Sequence, residues 1–328
     1  MNILVTGGAG YIGSHTVREL INRNHRVVVL DNLSKGHRAA VKGVELIEGE
    51  TADRDLLKKL FAKYDVEAVM HFAASSLVGE SVRQPSGYYR NNVVNGLSLL
   101  DAIVESSVRY LVFSSTAAVY GEPREVPIPE EHPAVPTNPY GATKLALEGA
   151  MRWYEDAYGL RYASLRYFNA AGADPAGDIG EDHEPETHLI PLVLKTALGL
   201  MPCLEIFGSD YPTPDGTCVR DYIHVNDLAD AHILALEAMA AGAPSKVYNL
   251  GNGSGYSVLD VVRAAEYVVG RPVKVSYAER RQGDPAVLVA GSDKIKGELN
   301  WRPRFAGLRD IIETAWLWHR GHPGGFRD

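Results

Sequence analysis

At 328 residues the chain is long enough for a large core and for two lobes sharing one interface. Hydrophobic content of 45% and charged content of 23% suit an ordinary globular enzyme, and a net charge of -8 excludes a general nucleic-acid binder, which needs surplus Lys and Arg for phosphates. No apolar run reaches the roughly 18 residues that span a bilayer, Met1 to Thr6 is too short for a signal peptide, and Cys203 and Cys218 read as free thiols, so a cytoplasmic protein without membrane contact is expected.

Ile3 to Val5 is a short apolar strand of the kind buried on both faces of a parallel sheet. It runs into Gly7-Gly-Ala-Gly10-Tyr-Ile-Gly13, where glycine permits a tight turn, close approach of a pyrophosphate and packing of helix on strand. A helix over about Tyr11 to Arg23 then aims its first N–H groups at phosphate. The next strand, Arg26 to Leu30, ends at Asp31, an acid placed to accept from ribose hydroxyls and to repel a 2′-phosphate, which favours NAD over NADP. Strand and helix signals go on alternating: strand 45–47, helix 53–64, strand 68–71, helix 86–106 and strand 110–113. That alternation predicts a doubly wound, parallel α/β sheet. Glu50 and Thr51 lie at the third strand tip, positioned for adenine, and Phe72, Ala73 and Ala74 at the fourth, where small residues let a cofactor pass. All lie on the carboxyl edge, where such sheets bind ligands.

The fifth strand ends in Ser114-Ser115-Thr116, and Tyr140 and Lys144 lie four apart on a helix starting near Pro139, hence on one face. A buried ammonium beneath the phenol oxygen is expected to lower the tyrosine pKa toward neutral and make it a general base. Thr116, Tyr140 and Lys144 then converge on one cofactor face, a set suited to taking a proton from an alcohol while a nicotinamide accepts hydride.

Beyond about Ala170 the rhythm breaks. Asp174 to Glu186 is rich in Asp, Glu, Gly and Pro and is expected to be a surface loop. His183-Glu-Pro-Glu-Thr-His188 superficially resembles a zinc helix, but the spacing is five and Pro185 breaks the helix, so no metal is expected. Further helices are expected at 188–198, 226–240, 258–269 and 308–320, and strands at 204–208, 247–250 and 273–277. Arg280 and Arg281 sit in a loop from which arginines can clamp a diphosphate, and Trp316 and Trp318 are read as core and interface.

Taken together these stretches resemble the extended short-chain dehydrogenase/reductase family, and within it the UDP-glucose (UDP-galactose) 4-epimerases. The resemblance runs from Met1 to about Trp318 through TGGAGYIGSH at 6–15, DNLS at 31–34, VGES at 78–81, FSSTAAVYG at 113–121, NPYGATK at 138–144, LRYFNAAG at 165–172 and IFGSDYPTPDGTCVRDYIHVNDLA at 206–229. It implies a Rossmann-type domain over 1–170, with some later segments returning to it, and a smaller α/β lobe for the nucleotide sugar over 171–328. It implies that Tyr140 takes the sugar 4-hydroxyl proton with Thr116 on the same oxygen, while Lys144 holds the nicotinamide ribose. Hydride leaves C4 for NAD, the 4-keto sugar turns over, and hydride returns to the opposite face. Besides the residues already named, the resemblance sets Ile12, Asn32, Ser34, Ser76, Asn91, Ser114 and Tyr167 on the cofactor. Asn169, His188, Leu189, Phe207, Arg220, Arg281, Asp284 and Leu288 fall on the UDP-hexose. A homodimer on helices 86–106 and 139–158 is implied as well.

Three positions depart from the family pattern. Glu50 stands where relatives often have aspartate, and Ser76 where some carry a lysine near the nicotinamide. Leu288, intermediate in size, leaves acceptance of UDP-N-acetylhexosamines open. Among rivals, nucleotide-sugar 4,6-dehydratases need an Asp-Glu pair directly after the hydroxyl residue, and Ala117-Ala118 stands there instead. Decarboxylases of UDP-glucuronate and epimerases of other nucleotide sugars differ only in a few loop contacts. A catalytically dead NAD-binding sensor is opposed by the intact Thr116, Tyr140 and Lys144.

Overall fold

The computed structural model describes residues 1–281 and 284–327; Gln282 and Gly283 of the expected arginine loop, and Asp328, lie outside the described residues. In chain order the strands are β1 Asn2–Thr6, β2 Arg26–Asp31, β3 Glu45–Glu48, β4 Ala68–His71, β5 Tyr110–Thr116, β6 Arg161–Tyr167, β7 Asn169–Ala171, β8 Leu204–Phe207, β9 Val219–His224, β10 Lys246–Leu250, β11 Gly255–Ser257, β12 Val275–Ala278 and β13 Val287–Leu288. The helices are α1 Tyr11–Asn22, α2 Arg54–Lys63, α3 Val78–Arg83, α4 Pro85–Tyr88, α5 Asn95–Val104, α6 Pro139–Tyr158, α7 Leu189–Ala197, α8 Val225–Ala240, α9 Val258–Val269, α10 Asp293–Glu298 and α11 Leu308–Gly321.

Seven parallel strands form the main sheet in the order β10-β6-β5-β4-β1-β2-β3. The order reverses between β1 and β4, which creates the crevice at the carboxyl edge where open α/β sheets take ligands. The central strands are apolar along their length because both faces are covered; Ile3, Leu4 and Val5 are all buried. One face packs on α1 and α8 around Leu20, Leu228 and Leu236, and the other on α2, α5 and α6 around Leu57, Leu100 and Leu147. The sheet's last strand, β10, comes from far beyond residue 170 and pairs with β6 from Lys246↔Ala163 to Leu250↔Tyr167.

The expected run of strands omits β6, which carries Arg at its first and sixth positions yet is buried from Tyr162 to Arg166. The expected helix 86–106 is in fact three pieces, α4, a π-helical turn over Tyr89–Val94, and α5. Such turns collect at functional sites. The second lobe carries a small mixed sheet β11-β9-β13 with β7 on β9, a two-stranded β12-β8 sheet, and a core around Val193, Val261 and Ile312 from α7, α9 and α11. Trp318 is fully buried, as expected, and Trp316 packs on this second core. The expected surface loop at 174–186 is instead folded inward: Ile179 is fully buried, and Asp174 and Glu181 are nearly so.

Candidate active site

Asn138 starts α6 by accepting from the Gly141 N–H at 2.9 Å, with Pro139 in the first turn and left-handed Gly159 closing the C-terminus. The cap fixes the register that puts Tyr140, Lys144 and Glu148 on one buried face against β5. Thr116 ends β5 with its hydroxyl accepting from Ala118 N–H at 3.1 Å and bonded to the Tyr140 side chain. Lys144 Nζ donates to Ser114 O at 2.7 Å, and Ser114 Oγ meets the Tyr167 hydroxyl at 2.5 Å. The structure thus brings Thr116, Tyr140, Lys144, Ser114 and Tyr167 together.

The electrostatics differ from the expectation. Lys144 Nζ stands 6.0 Å from the Tyr140 ring centroid and nearer the Phe113 ring, at 4.9 Å. Burial raises the Tyr140 pKa, opposed only by the Thr116 hydrogen bond. Burial also lowers Lys144 to about 7, with the Glu148 carboxylate pulling it back up. Desolvation outweighs the lysine here, so spacing alone does not make the phenol a base.

Glu148 and Arg166 are site residues that motifs do not reveal. Glu148 Oε1 accepts from Ser115 Oγ at 2.5 Å, Ser164 Oγ at 2.8 Å and Arg166 Nε at 3.1 Å, and its Oε2 takes Arg166 Nη2 at 2.5 Å. Arg166 Nη1 continues to the Tyr120 hydroxyl at 3.0 Å, and Tyr120 to Asn249 Oδ1 at 2.7 Å. The one signal in the sequence is that Glu148 follows Lys144 by a further helical turn.

On the cofactor side, α1 opens at Gly10 with no side-chain cap and no acid in its first turn, leaving its N–H groups to an anion. A Cβ on Gly10 would meet only Gly7 O at 3.4 Å, so the loop is open toward the crevice, whereas one on Gly13 would come within 2.2 Å of Gly7 O. Tyr11 holds the loop by donating to Gly172 O at 2.6 Å, with Ile12 half-buried beside it. Asp31 accepts from Ala9 N–H and Leu33 N–H, both at 2.9 Å. Asn32 donates to Glu50 Oε1 at 3.0 Å and accepts from Ser34, so Glu50 is tied to the tip of β2, and Thr51 next to it is buried. Phe72, Ala73 and Ala74 border the same crevice, with Phe72 N–H and Ala73 N–H both donating to Thr6 O. Asn91 lies on the π-helical turn and bonds Ser75 Oγ at 3.2 Å, while buried Asn92 pins that turn to Thr143; Ser76 is exposed. A dinucleotide fits these residues: open helix N–H groups for the pyrophosphate, an acid at the ribose, and Lys144 and Tyr140 at the far end.

In the second lobe Arg220 ion-pairs with Asp284, Arg281 lies over the Phe207 ring at 4.1 Å, and Arg280 over the Tyr211 ring at 4.2 Å. Leu288 packs on the cluster of Ala117, Val119 and Tyr120 directly after Thr116, and Asn169 opens β7 beside β9. Leu189 begins α7, with His188 as its N-terminal flank. His188 is engaged by its own loop, where its Nδ1 meets Glu181 Oε1 and Glu186 Oε1, both at 2.9 Å. The spacing argument against a helical zinc pair holds, yet the loop folds so that Glu181, His183, Glu186 and His188 bring donor atoms within 4.8 Å of one another.

Comparison with known proteins agrees with this geometry. Residues 3–251 match the NAD dependent epimerase/dehydratase family. A UDP-glucose 4-epimerase of Halalkalibacterium halodurans is 54% identical over 99% of this chain and 98% of its own length. The crystal structure of a UDP-glucose 4-epimerase superposes with a TM-score of 0.98 at 51% identity, covering 100% of both chains. Another, from Bifidobacterium longum in complex with NAD+ and UDP, does so at 0.95 and 39%, covering 99% of this chain and 100% of that one. Because the match extends from the glycine loop through the Tyr140 helix and on into β10, and relatives align end to end, the chain belongs to the NAD-dependent epimerase/dehydratase family.

Proposed function

We propose that the chain interconverts UDP-glucose and UDP-galactose by epimerisation at C4. The observation that carries this reading is the convergence of Thr116, Tyr140 and Lys144 at the carboxyl edge, with Ala117 and Ala118 where an eliminating enzyme needs acid and base. When bound, NAD supplies a hydride acceptor that gives the same hydride back, so net redox change is zero. The chain's own residues move one proton: Tyr140 takes it from the sugar 4-hydroxyl and returns it, Thr116 holds that oxygen, and Lys144 holds the nicotinamide ribose. Arg220, Arg281, Asp284, Phe207, Asn169 and Leu189 grip the UDP portion, leaving the hexose free to turn.

A homodimer fits the exposed apolar side chains of Val82, Tyr89, Val94 and Trp153 on the helical face formed by α3 to α6. A cytoplasmic place fits two unpaired cysteines, and no described helix is long and apolar enough to cross a membrane.

The test is incubation with a panel of UDP-hexoses without added oxidant, followed by product identification, for the wild type and for Tyr140→Phe. A C4 epimer from the wild type, with roughly 100-fold or greater loss in a variant that still retains NAD, is expected. Near-normal turnover by Tyr140→Phe refutes the assigned base.

A further inference from the structure

The inward-folded loop before α7 gathers two imidazoles and two carboxylates from four nearby positions. His183 Nδ1 stands 3.3 Å from Glu181 Oε1 and 3.8 Å from Glu186 Oε2, and His188 Nδ1 stands 2.9 Å from Glu181 Oε1 and from Glu186 Oε1. Both carboxylate side chains are only 4% exposed. Two acceptors at 2.9 Å share His188 Nδ1, whereas among the described residues His183 Nδ1 and Glu186 Oε2 are buried without a hydrogen-bond partner. Leaving such atoms unsatisfied is costly, and two dry carboxylates call for positive charge.

We propose that Glu181, His183, Glu186 and His188 are the four ligands of a structural zinc ion. Tetrahedral zinc with bonds of about 2.0–2.1 Å sets its donors roughly 3.3 Å apart; His188 Nδ1 lies 2.9 Å from Glu181 Oε1 and Glu186 Oε1, His183 Nδ1 lies 3.3 Å from Glu181 Oε1, and one donor from each of the four residues already falls within 4.8 Å of the rest. Two carboxylates and two neutral imidazoles balance the divalent charge, and the N/O donor set suits zinc. With four protein ligands no position is left for an activated water, so the ion holds structure and does no chemistry. The surroundings are already anchored: Thr187 N–H and His188 N–H donate to Glu186 Oε1 at 2.7 and 2.8 Å, and Trp318 Nε1 donates to Glu181 O at 3.1 Å. His183 also meets the Tyr11 ring edge-on at 6.2 Å. The ion would therefore tie the start of α7, in the second lobe, to the tyrosine of the glycine loop.

Full-length protein, purified without chelator, is passed through gel filtration and assayed for metal by mass spectrometry. It is then stripped and titrated with zinc against a chromophoric indicator, with cobalt substitution read by visible absorption and stability read by thermal melting. Expected are about one zinc per chain, an intense tetrahedral cobalt spectrum, and a melting point lowered by stripping and restored by zinc. His183→Ala and Glu186→Gln should each weaken zinc by roughly tenfold or more. Wild type that loses zinc to the indicator with no shift in melting, or variants that hold zinc as the wild type does, overturn the proposal. If a variant does not fold, the wild-type competition and cobalt spectrum decide, and a weak octahedral spectrum counts against it.

Discussion

Replacing Glu148 by Gln removes one charge and almost no volume, yet no orientation of the amide satisfies the site. Oε1 receives two hydroxyls and Arg166 Nε, while Oε2 receives Arg166 Nη2. The amide NH2 must therefore face a donor in either flip. Arg166, with 9% side-chain exposure, keeps its charge in the variant, because a guanidinium does not give up its proton in proteins and the Tyr120 hydroxyl still accepts from Nη1. Removing one partner of such a buried pair costs about 3–5 kcal/mol. Urea titration followed by tryptophan fluorescence should show a lower midpoint at unchanged slope. Arg38→Ala, which breaks the exposed Arg38–Glu48 pair, is the control and should barely move it. A loss below about 1 kcal/mol for Glu148→Gln would mean a pair no better than a surface one and would refute the reasoning.

The NAD-free protein should gain stability from Lys144 as pH rises from about 7 toward 10.5, since in that window the unfolded lysine binds a proton that the folded one has shed; denaturant titrations at several pH values should show this slope flattened in Lys144→Met. Gly10→Ala should fold normally but retain less NAD, because its Cβ enters the space before the α1 N-terminus, whereas Gly13→Ala should lose stability itself by driving a Cβ into Gly7 O; cofactor content and melting temperature separate the two. Leu288→Tyr should reduce turnover of N-acetylated UDP-sugars more than that of UDP-glucose, the enlarged side chain lying beside Ala117; equal losses on both would remove the size gate.

The sheet is legible because its strands are apolar runs punctuated by glycine, and the α1 glycines and Asp31 announce a ligand by their place at strand tips. What escapes reading depends on contacts distant in sequence. Strand β6 hides because Arg166, polar by type, is buried against Glu148 eighteen residues earlier. The break at Tyr89–Val94 is set by Asn92 reaching Ser75 and Thr143, which no helical periodicity announces. The loop at 174–186 reads as solvated by composition, but Ile179 and the Glu181 and Glu186 carboxylates turn inward together. Local spacing rules out a helix-borne histidine pair there and has no bearing on a loop that folds back on itself.

The same contrast applies to Tyr140. Spacing puts a lysine on its face, and from that alone the phenol would be activated; the folded chain reverses the order of the two effects. Burial acts on both groups, holding the proton on Tyr140 and pushing Lys144 to about 7, and the lysine is 6.0 Å from the ring centroid. The one charge that restores the ammonium is Glu148, itself fixed by Ser115, Ser164 and Arg166. Positive charge near the phenol is thus maintained by a network behind the site, and the chain's own groups do not by themselves make Tyr140 a strong base. In the proposed reaction a bound oxidised nicotinamide ring would add positive charge beside the phenol. A bound nicotinamide would carry that charge only when oxidised, so under the proposed reading Tyr140 would be ionised and ready to accept a proton while the alcohol awaits oxidation, and protonated and ready to return it once the keto sugar awaits hydride. One phenol can then serve both halves of a reaction that must run backwards on the opposite face.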